Sequence, residues 1–469
     1  MTVMKDQLKQ FSFLTALLLM FLSETEGQQL STYNLQHLPQ RSYMNPSFAP
    51  HGKINIGIPV LSGVSHSYTN NGFTYSDLFK RTENNILILD ISSALEELKS
   101  RNYLSMHAET EIISFGIKAA KNYFSLNITE KADVNFTFSK SLMEFLYEGN
   151  AATAGTVQQL NPGLEGIHYR EYGISWSREI SSLITAGIRV KYLYGMEHTI
   201  TKGTGITIYT NPEDFSITAN TDYTIYTSGL DTNSFKNLEI SKYAFNKRNK
   251  GYAIDAGVTM RPLKSVEITA SVIDFGSIKW STDNVVYHTN TQKEGFIYSG
   301  INLDEFVNNE NLDAETYLQS IGDSLYESLN ISETSESYTY KMPVQFYFST
   351  SYLISPRYKI TALARNKNTY HENHTDYQFS FTGKSKNWLN YTVSLNKLNK
   401  TKATPGLGFS INFHNDQIYF VTDNIPGLFN WKNSYSTGFR AGINIMFGTK
   451  LKYMKPPQPV LEEVSSTTP

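Results

Sequence analysis

"YSTGFRAGINIMFG", residues 435–448, repeats its chemistry every second residue. One set holds Tyr435, Thr437, Phe439, Ala441, Ile443, Ile445 and Phe447, and the other holds Ser436, Gly438, Arg440, Gly442, Asn444 and Met446. Successive side chains of a strand point to opposite faces, so this segment separates an apolar medium from a polar one. The same alternation recurs upstream. In "LITAGIRVKYLYG" (183–195), Ile184, Ala186, Ile188 and Val190 oppose Thr185, Gly187, Arg189 and Lys191, and the apolar row ends in Tyr192 and Tyr194. "YAIDAGVTM" sets Ile254, Ala256, Val258 and Met260 against Asp255, Gly257 and Thr259, and "VEITASVI" sets Val266, Ile268, Ala270 and Val272 against Glu267, Thr269 and Ser271. "DYQFSFTG" and "NYTVSLNK" repeat it through Tyr377, Phe379, Phe381, Tyr391, Val393 and Leu395. Charges in mid-strand do not suit the interior of a sandwich but do suit a wet lumen, and aromatics near strand ends match interfacial girdles.

The connections also alternate. Short turns are expected at 178–182, 261–265, 355–357, 383–387 and 414–416, and longer loops at 227–249, 276–338, 366–374 and 422–434. Short turns on one rim and long loops on the other are the habit of outer-membrane barrels. Counting hairpins backward from Tyr435, with "KINIGIPVLSGVSH" (53–66) as the first strand, gives sixteen. The fold class expected is all-β: a transmembrane antiparallel β-barrel of about 14–16 strands with a few short loop helices. Helical spacing marks 91–101, 139–149 and 313–329 as those helices, the last being either a rim helix or a partner-binding lid.

Composition agrees with strands. Of 469 residues, 31 are Tyr and 27 Phe, only 18% are charged, and the net charge of −2 offers nucleic acid no bulk attraction. Lys5 and Lys9, the apolar run Phe11–Leu22 and the small-residue site before Gln28 read as a secretory signal over 1–27, because the run falls short of the about twenty residues a spanning helix needs. Sec-type export to the bacterial outer membrane is therefore expected. The organisation that follows is an N-terminal segment at 28–52, a barrel at 53–448 and a flexible Pro-rich periplasmic tail at 449–469. There are no cysteines, which excludes disulfides, thiol catalysis and Cys-ligated metal.

A search for catalytic chemistry finds little. His371, Glu372, His374 and Asp376 crowd together in "YHENHTDY", but as a solvated loop rather than a metal site, so no metal and no cofactor are expected. "KGTGIT" at 202–207 is too short for a phosphate cradle, and no Gly-x-Ser-x-Gly elbow is present. Several of the Asn-x-Ser/Thr sequences fall inside expected strands, so chance in an Asn- and Thr-rich chain explains them. No enzyme is expected. Arg189, Lys191, Arg365 and Arg440 are the lumen-facing charges, serving either to bias anion passage or to form ionic ladders across the lumen.

The run "QHLPQRSYMNPSFAPHGKINIGIPVLSGVSHSYTNNGFTYSDLF" (36–79) and the run "YREYGISWSREISSLITAGIRVKYLYG" (169–195) resemble an uncharacterised family of outer-membrane barrels from Bacteroidota, similar in outline to the fatty-acid transporter FadL and to PorV of type IX secretion. Asn45, Pro46, Gly57, Pro59, Gly149, Asn150, Tyr172, Gly173, Gly187, Lys191 and Gly195 carry the resemblance, with Ser47 standing where Ala is commoner. It implies fourteen strands and segment 28–52 acting as a plug. Arg440, Gly442, Ile445 and Phe447 resemble the barrel-assembly signal read by the insertion machinery, although about twenty residues follow them here. The function this implies is transport of small, hydrophobic molecules, with outer-membrane lipid and such a ligand as partners. The alternative is a PorV-like scaffold or shuttle that binds secreted proteins. A barrel enzyme and a soluble all-β adhesin are the remaining readings.

Overall fold

A computed structural model describes residues 30–50, 52–229, 249–290, 296–298, 331–385, 388–399 and 401–448. The signal at 1–27, the helix at 313–329 and the tail at 449–469 lie outside the described residues.

Fourteen antiparallel wall strands close on themselves. In chain order they are β1 (Ile54–Gly57 with Val64–Asn70), β2 (Arg101–Ala119), β3 (Asn122–Ser139), β4 (Val157–Gln159 with Gly163–Glu179) and β5 (Ile184–Thr210). Next come β6 (Ile217–Ser228 with Asn249–Leu263), β7 (Val266–Trp280 with Asn284–Asn290 and Phe296–Tyr298) and β8 (Ser332–Thr334, Tyr338–Lys341 and Gln345–Ser355). The rest are β9 (Tyr358–Asn368), β10 (Asn373–Ser385), β11 (Leu389–Lys397), β12 (Thr404–Phe413), β13 (Asp416–Thr422) and β14 (Ser436–Phe447). Closure is made by β14 against both pieces of β1, from Ile54 opposite Phe447 to Thr69 opposite Ser436. A closed wall leaves no unpaired edge, which is the condition for strands in hydrocarbon.

The count of sixteen is corrected to fourteen because breaks within strands read as turns. Residues 217–228 pair with the upper part of β5 and 249–263 with its lower part, so the interval 227–249 interrupts one strand rather than joining two. The first strand is broken as well. From Gly57 opposite Asn444 to Val64 opposite Ala441, β1 carries four residues more than β14, and Val60 takes φ 65°. Pro59, with no N–H for a ladder, sits in that break.

Short connections fall at 120–121, 264–265, 356–357 and 414–415, on the rim where Lys53 meets Phe447. The helices α1 (Ile91–Glu97) and α2 (Lys140–Glu148) lie on the long-loop side. Asp90 and Ser139 cap them through their side chains. Among the described residues no helix is long and apolar enough to cross a membrane. The strands present the apolar face instead: Ile188, Val190, Ile254, Phe348, Phe379 and Leu395 are exposed on the outside, while Arg189, Asp255, Ser349, Gln378 and Ser394 are buried on the inside.

Candidate functional site

The buried space is the lumen, and much of it is filled by residues 30–50. Pro39, Pro46 and Pro50 keep this segment out of any ladder, and it forms the 3-10 turns Leu30–Asn34 and Pro39–Tyr43 instead. Its polar atoms are satisfied by the wall. Tyr33 Oη bonds Thr269 at 2.6 Å, Asn34 donates to Gln378 at 2.6 Å, and Ser47 Oγ meets Thr259 Oγ1 at 2.7 Å. Burial holds the Arg41 guanidinium down to about 10; its Nε donates to the Tyr33 carbonyl at 2.7 Å and the group stacks 4.0 Å over Phe48.

Three carboxylates and a row of glycines position the segment. Glu111 accepts from Gln40, Tyr43, Ser62 and Ser114, and so links the segment to the break in β1. Gln40 also donates to the Ser62 carbonyl at 3.0 Å and to Asn444 at 2.9 Å. Asp423, one residue beyond β13, accepts from the backbone N–H of Leu30 and, at 3.0 Å, of Ser31. Burial pushes its carboxyl up to about 7 despite those donors. Glu171 accepts from Lys131 at 2.9 Å and from Arg189, whose guanidinium lies 4.5 Å over the Tyr43 ring. The Asn45-Pro46 turn docks where the wall has no side chains. A Cβ on Gly187 would stand 2.1 Å from the Pro46 carbonyl oxygen, and one on Gly257 would stand 2.0 Å from Asn45 Oδ1.

The four lumen cations fall into separate groups. Arg189 and Lys191 share Glu171 and Asp255, and Lys191 reaches Asp274 at 2.6 Å. Arg365 pairs with Asp376, and Arg440 with Glu109 at 2.8 Å. These pairs are buried, where removing one partner would strand a costly lone charge. Beside them runs a cavity of about 100 Å³ lined by Gln40, Tyr43, His107, Lys131 and Lys367. Toward the long-loop rim the lumen turns apolar, where Leu193, Ile278, Trp280, Tyr340 and Met342 pack as one cluster with His198 stacked on Trp280.

Other expected residues are dispersed. Gly57 borders the break in β1 beside Ser62, Ser114 and Glu111, and Pro59 lies within the break. Gly173 makes room for Arg189 and Asn127, Gly195 for the Trp280 ring, and Tyr172 stands in β4 next to Tyr192. Gly149 and Asn150 lie in the loop after α2. In β14, Arg440 and Gly442 face the lumen while Ile445 and Phe447 face outward. His374 bonds Asn399 and Asp376 bonds Arg365; among the described residues no group of three His, Asp or Glu is placed to hold a metal. Glu111 and Asp423 were not singled out from sequence. The alternation of Glu109 and Glu111 in "AETEII" was a readable sign of a lumen face, whereas nothing around Asp423 marks it.

No curated protein matches the sequence. The chain is similar to three solved barrels at 8–9% identity. They are the Ralstonia pickettii toluene transporter TbuX (TM-score 0.43, covering 90% of this chain and 99% of that one), a Pseudomonas aeruginosa FadL homologue (0.42, 87% and 94%) and the Pseudomonas putida toluene transporter TodX (0.39, 90% and 97%). A model of a family of unknown function, DUF5723, matches residues 46–423, from the Asn45-Pro46 turn to the Asp423 carboxylate, and the chain belongs to that family.

Proposed function

We propose that this protein is an exported outer-membrane barrel that passes small apolar molecules, with segment 28–52 as the plug that closes it at rest. The observation that carries the reading is the way the lumen is filled. Fourteen strands enclose more space than wall side chains fill, and here the surplus is taken by a separate segment held through hydrogen bonds to wall side chains. Each such bond contributes about 0.5–1.5 kcal/mol, so the segment docks firmly yet remains displaceable. Residues 1–27 are the export signal and 449–469 the periplasmic tail in this reading, and Arg440, Gly442, Ile445 and Phe447 serve insertion.

The steps are passive binding and displacement. An apolar molecule entering from the long-loop rim has to part the packed cluster around Trp280 and Tyr340, whose buried side chains exchange contacts with one another for contacts with it. Below that cluster the segment and the ion pairs bar the way. Displacing Gln40 and Tyr43 releases Glu111, and with it Ser62 in the break of β1, where Val60 and Leu61 already face outward. The break then provides a sideways exit for a molecule that prefers lipid to water. The toluene-transporter likeness names a substrate of those proteins; here the apolar cluster toward the long-loop end of the lumen supports the class.

Uptake by proteoliposomes tests this. Vesicles carrying the protein take up a small aromatic probe faster than empty vesicles and admit sugars no faster. Equal rates for the aromatic probe with and without protein contradict the proposal. Heat-modifiable gel mobility and resistance to carbonate extraction establish beforehand that the barrel is inserted.

A further inference from the structure

The outer wall carries a hollow of about 990 Å³, at the upper end of the about 300–1,000 Å³ typical of ligand clefts. It is built from two adjacent ladder rows that run unbroken across β4 to β10. One passes from Arg178 through Ala186, Val258, Ala270, Phe348 and Ala364 to Tyr377. The other runs from Trp176 to Thr375 through Ile188, Ala256 and Val272. Alanines at 186, 256, 270 and 364 make the floor low, and Trp176, Phe346, Phe348 and Tyr377 stand above it. The inner side of the same patch is Gly187 and Gly257, against which the Asn45-Pro46 turn lies.

We propose that this groove binds one acyl chain of an anionic phospholipid, with its headgroup at Arg178. The groove is continuous with the apolar outer face, so what surrounds that face in a bilayer is acyl chain. Its dimensions fit a single leaflet. Six steps between strands at about 4.8 Å give about 29 Å of length, and with strands tilted about 40° the row climbs about 19 Å through the membrane, against about 15 Å for half of a ~30 Å core. The exposed charge sits at one end only. Arg178 is exposed on the outer face close to the short-turn rim, beside Trp176, where a phosphate of the periplasmic leaflet lies; at the far end, by Thr375 and Tyr377, Arg365 also borders the hollow, but it is buried and paired with Asp376. A guanidinium is the group best matched to a phosphate.

The test is lipid retention by the full-length barrel. Protein reconstituted in phosphatidylcholine bilayers doped with phosphatidylglycerol is released from them and weighed by native mass spectrometry. Wild type retains one phosphatidylglycerol. Ala270→Trp, which fills the floor, and Arg178→Glu, which reverses the charge, each lower that occupancy on the order of tenfold, about 1.4 kcal/mol. Leu395→Trp, on the outer face away from the groove, leaves it unchanged. Heat-modifiable mobility shows which variants fold, and the rim position of Arg178 keeps the test open if Ala270→Trp does not. Equal retention by wild type and Arg178→Glu overturns the proposal, as does a wild-type dimer that Ala270→Trp converts to monomer, since the groove then holds a second copy of the barrel.

Discussion

Along β5 the two faces of one strand obey different rules. Val190 points outward into an environment that asks only for an apolar side chain, while its neighbours Arg189 and Lys191 point inward to partners on three other strands: Glu171 of β4, Asp255 of β6 and Asp274 of β7. The outer face is a local property, fixed residue by residue. The inner face is a collective one, in which each cation is tolerable only because particular carboxylates arrive from elsewhere in the chain.

The largest effect expected from breaking that contrast is on the inside. Glu171→Gln leaves Lys131, Arg189 and Lys191 with one carboxylate fewer in a buried group, and we expect a loss of about 3–5 kcal/mol in urea unfolding followed by heat-modifiable mobility. A loss below that of an outer-face substitution would mean that water reaches these charges. Next comes Val190→Arg, which places on the lipid face the side chain that residue 189 holds in the lumen. It should hinder insertion by about 2–4 kcal/mol. Tolerance of arginine at 190 would sink the assignment of faces.

A smaller effect separates wall from filling. Gly187→Val drives a side chain into the Pro46 carbonyl and should cost about 1–3 kcal/mol, undocking residues 45–47 while the barrel still shows its mobility shift. Protease access to the N-terminal segment reads this, and unchanged protection would contradict the contact. The smallest effect is set by pH at Asp423. Its folded pKa, raised to about 7, exceeds the unfolded value of 3.8, so the stabilisation it gives to docking is complete below 3.8 and is lost as pH rises through 7. From pH 6 to pH 8 the docked population should weaken by about 1.4 kcal/mol, roughly tenfold, and Asp423→Asn should abolish the dependence. A wild-type profile flat over that interval would show that the carboxylate does not titrate there.

What was legible in the sequence follows the same division. Period-two alternation in 183–195 and 435–448 identified the barrel and sorted Ile188 from Arg189 without any knowledge of neighbours. Strand number was less legible, since an interval such as 227–249 resembles a turn until pairing on both sides is known. The site was legible only in part. Gly187 and the Asn45-Pro46 pair were visible as separate motifs, but that one exists to admit the other is a contact between residues more than a hundred positions apart. Glu111 and Asp423 acquire meaning only through partners at Gln40, Tyr43, Leu30 and Ser31, and single acidic residues carry no pattern that announces such partners.

The central claim is that residues 30–50 close this barrel and must move for it to conduct. Because the chain has no cysteine, Ser47→Cys with Thr259→Cys creates a unique pair where two hydroxyl oxygens now stand 2.7 Å apart. Flux of a small aromatic probe into vesicles carrying this variant, measured oxidised and then reduced, decides the matter. Flux that is lost on oxidation and restored by reductant is the result this account predicts; equal flux in both states, with the disulfide verified, would contradict it.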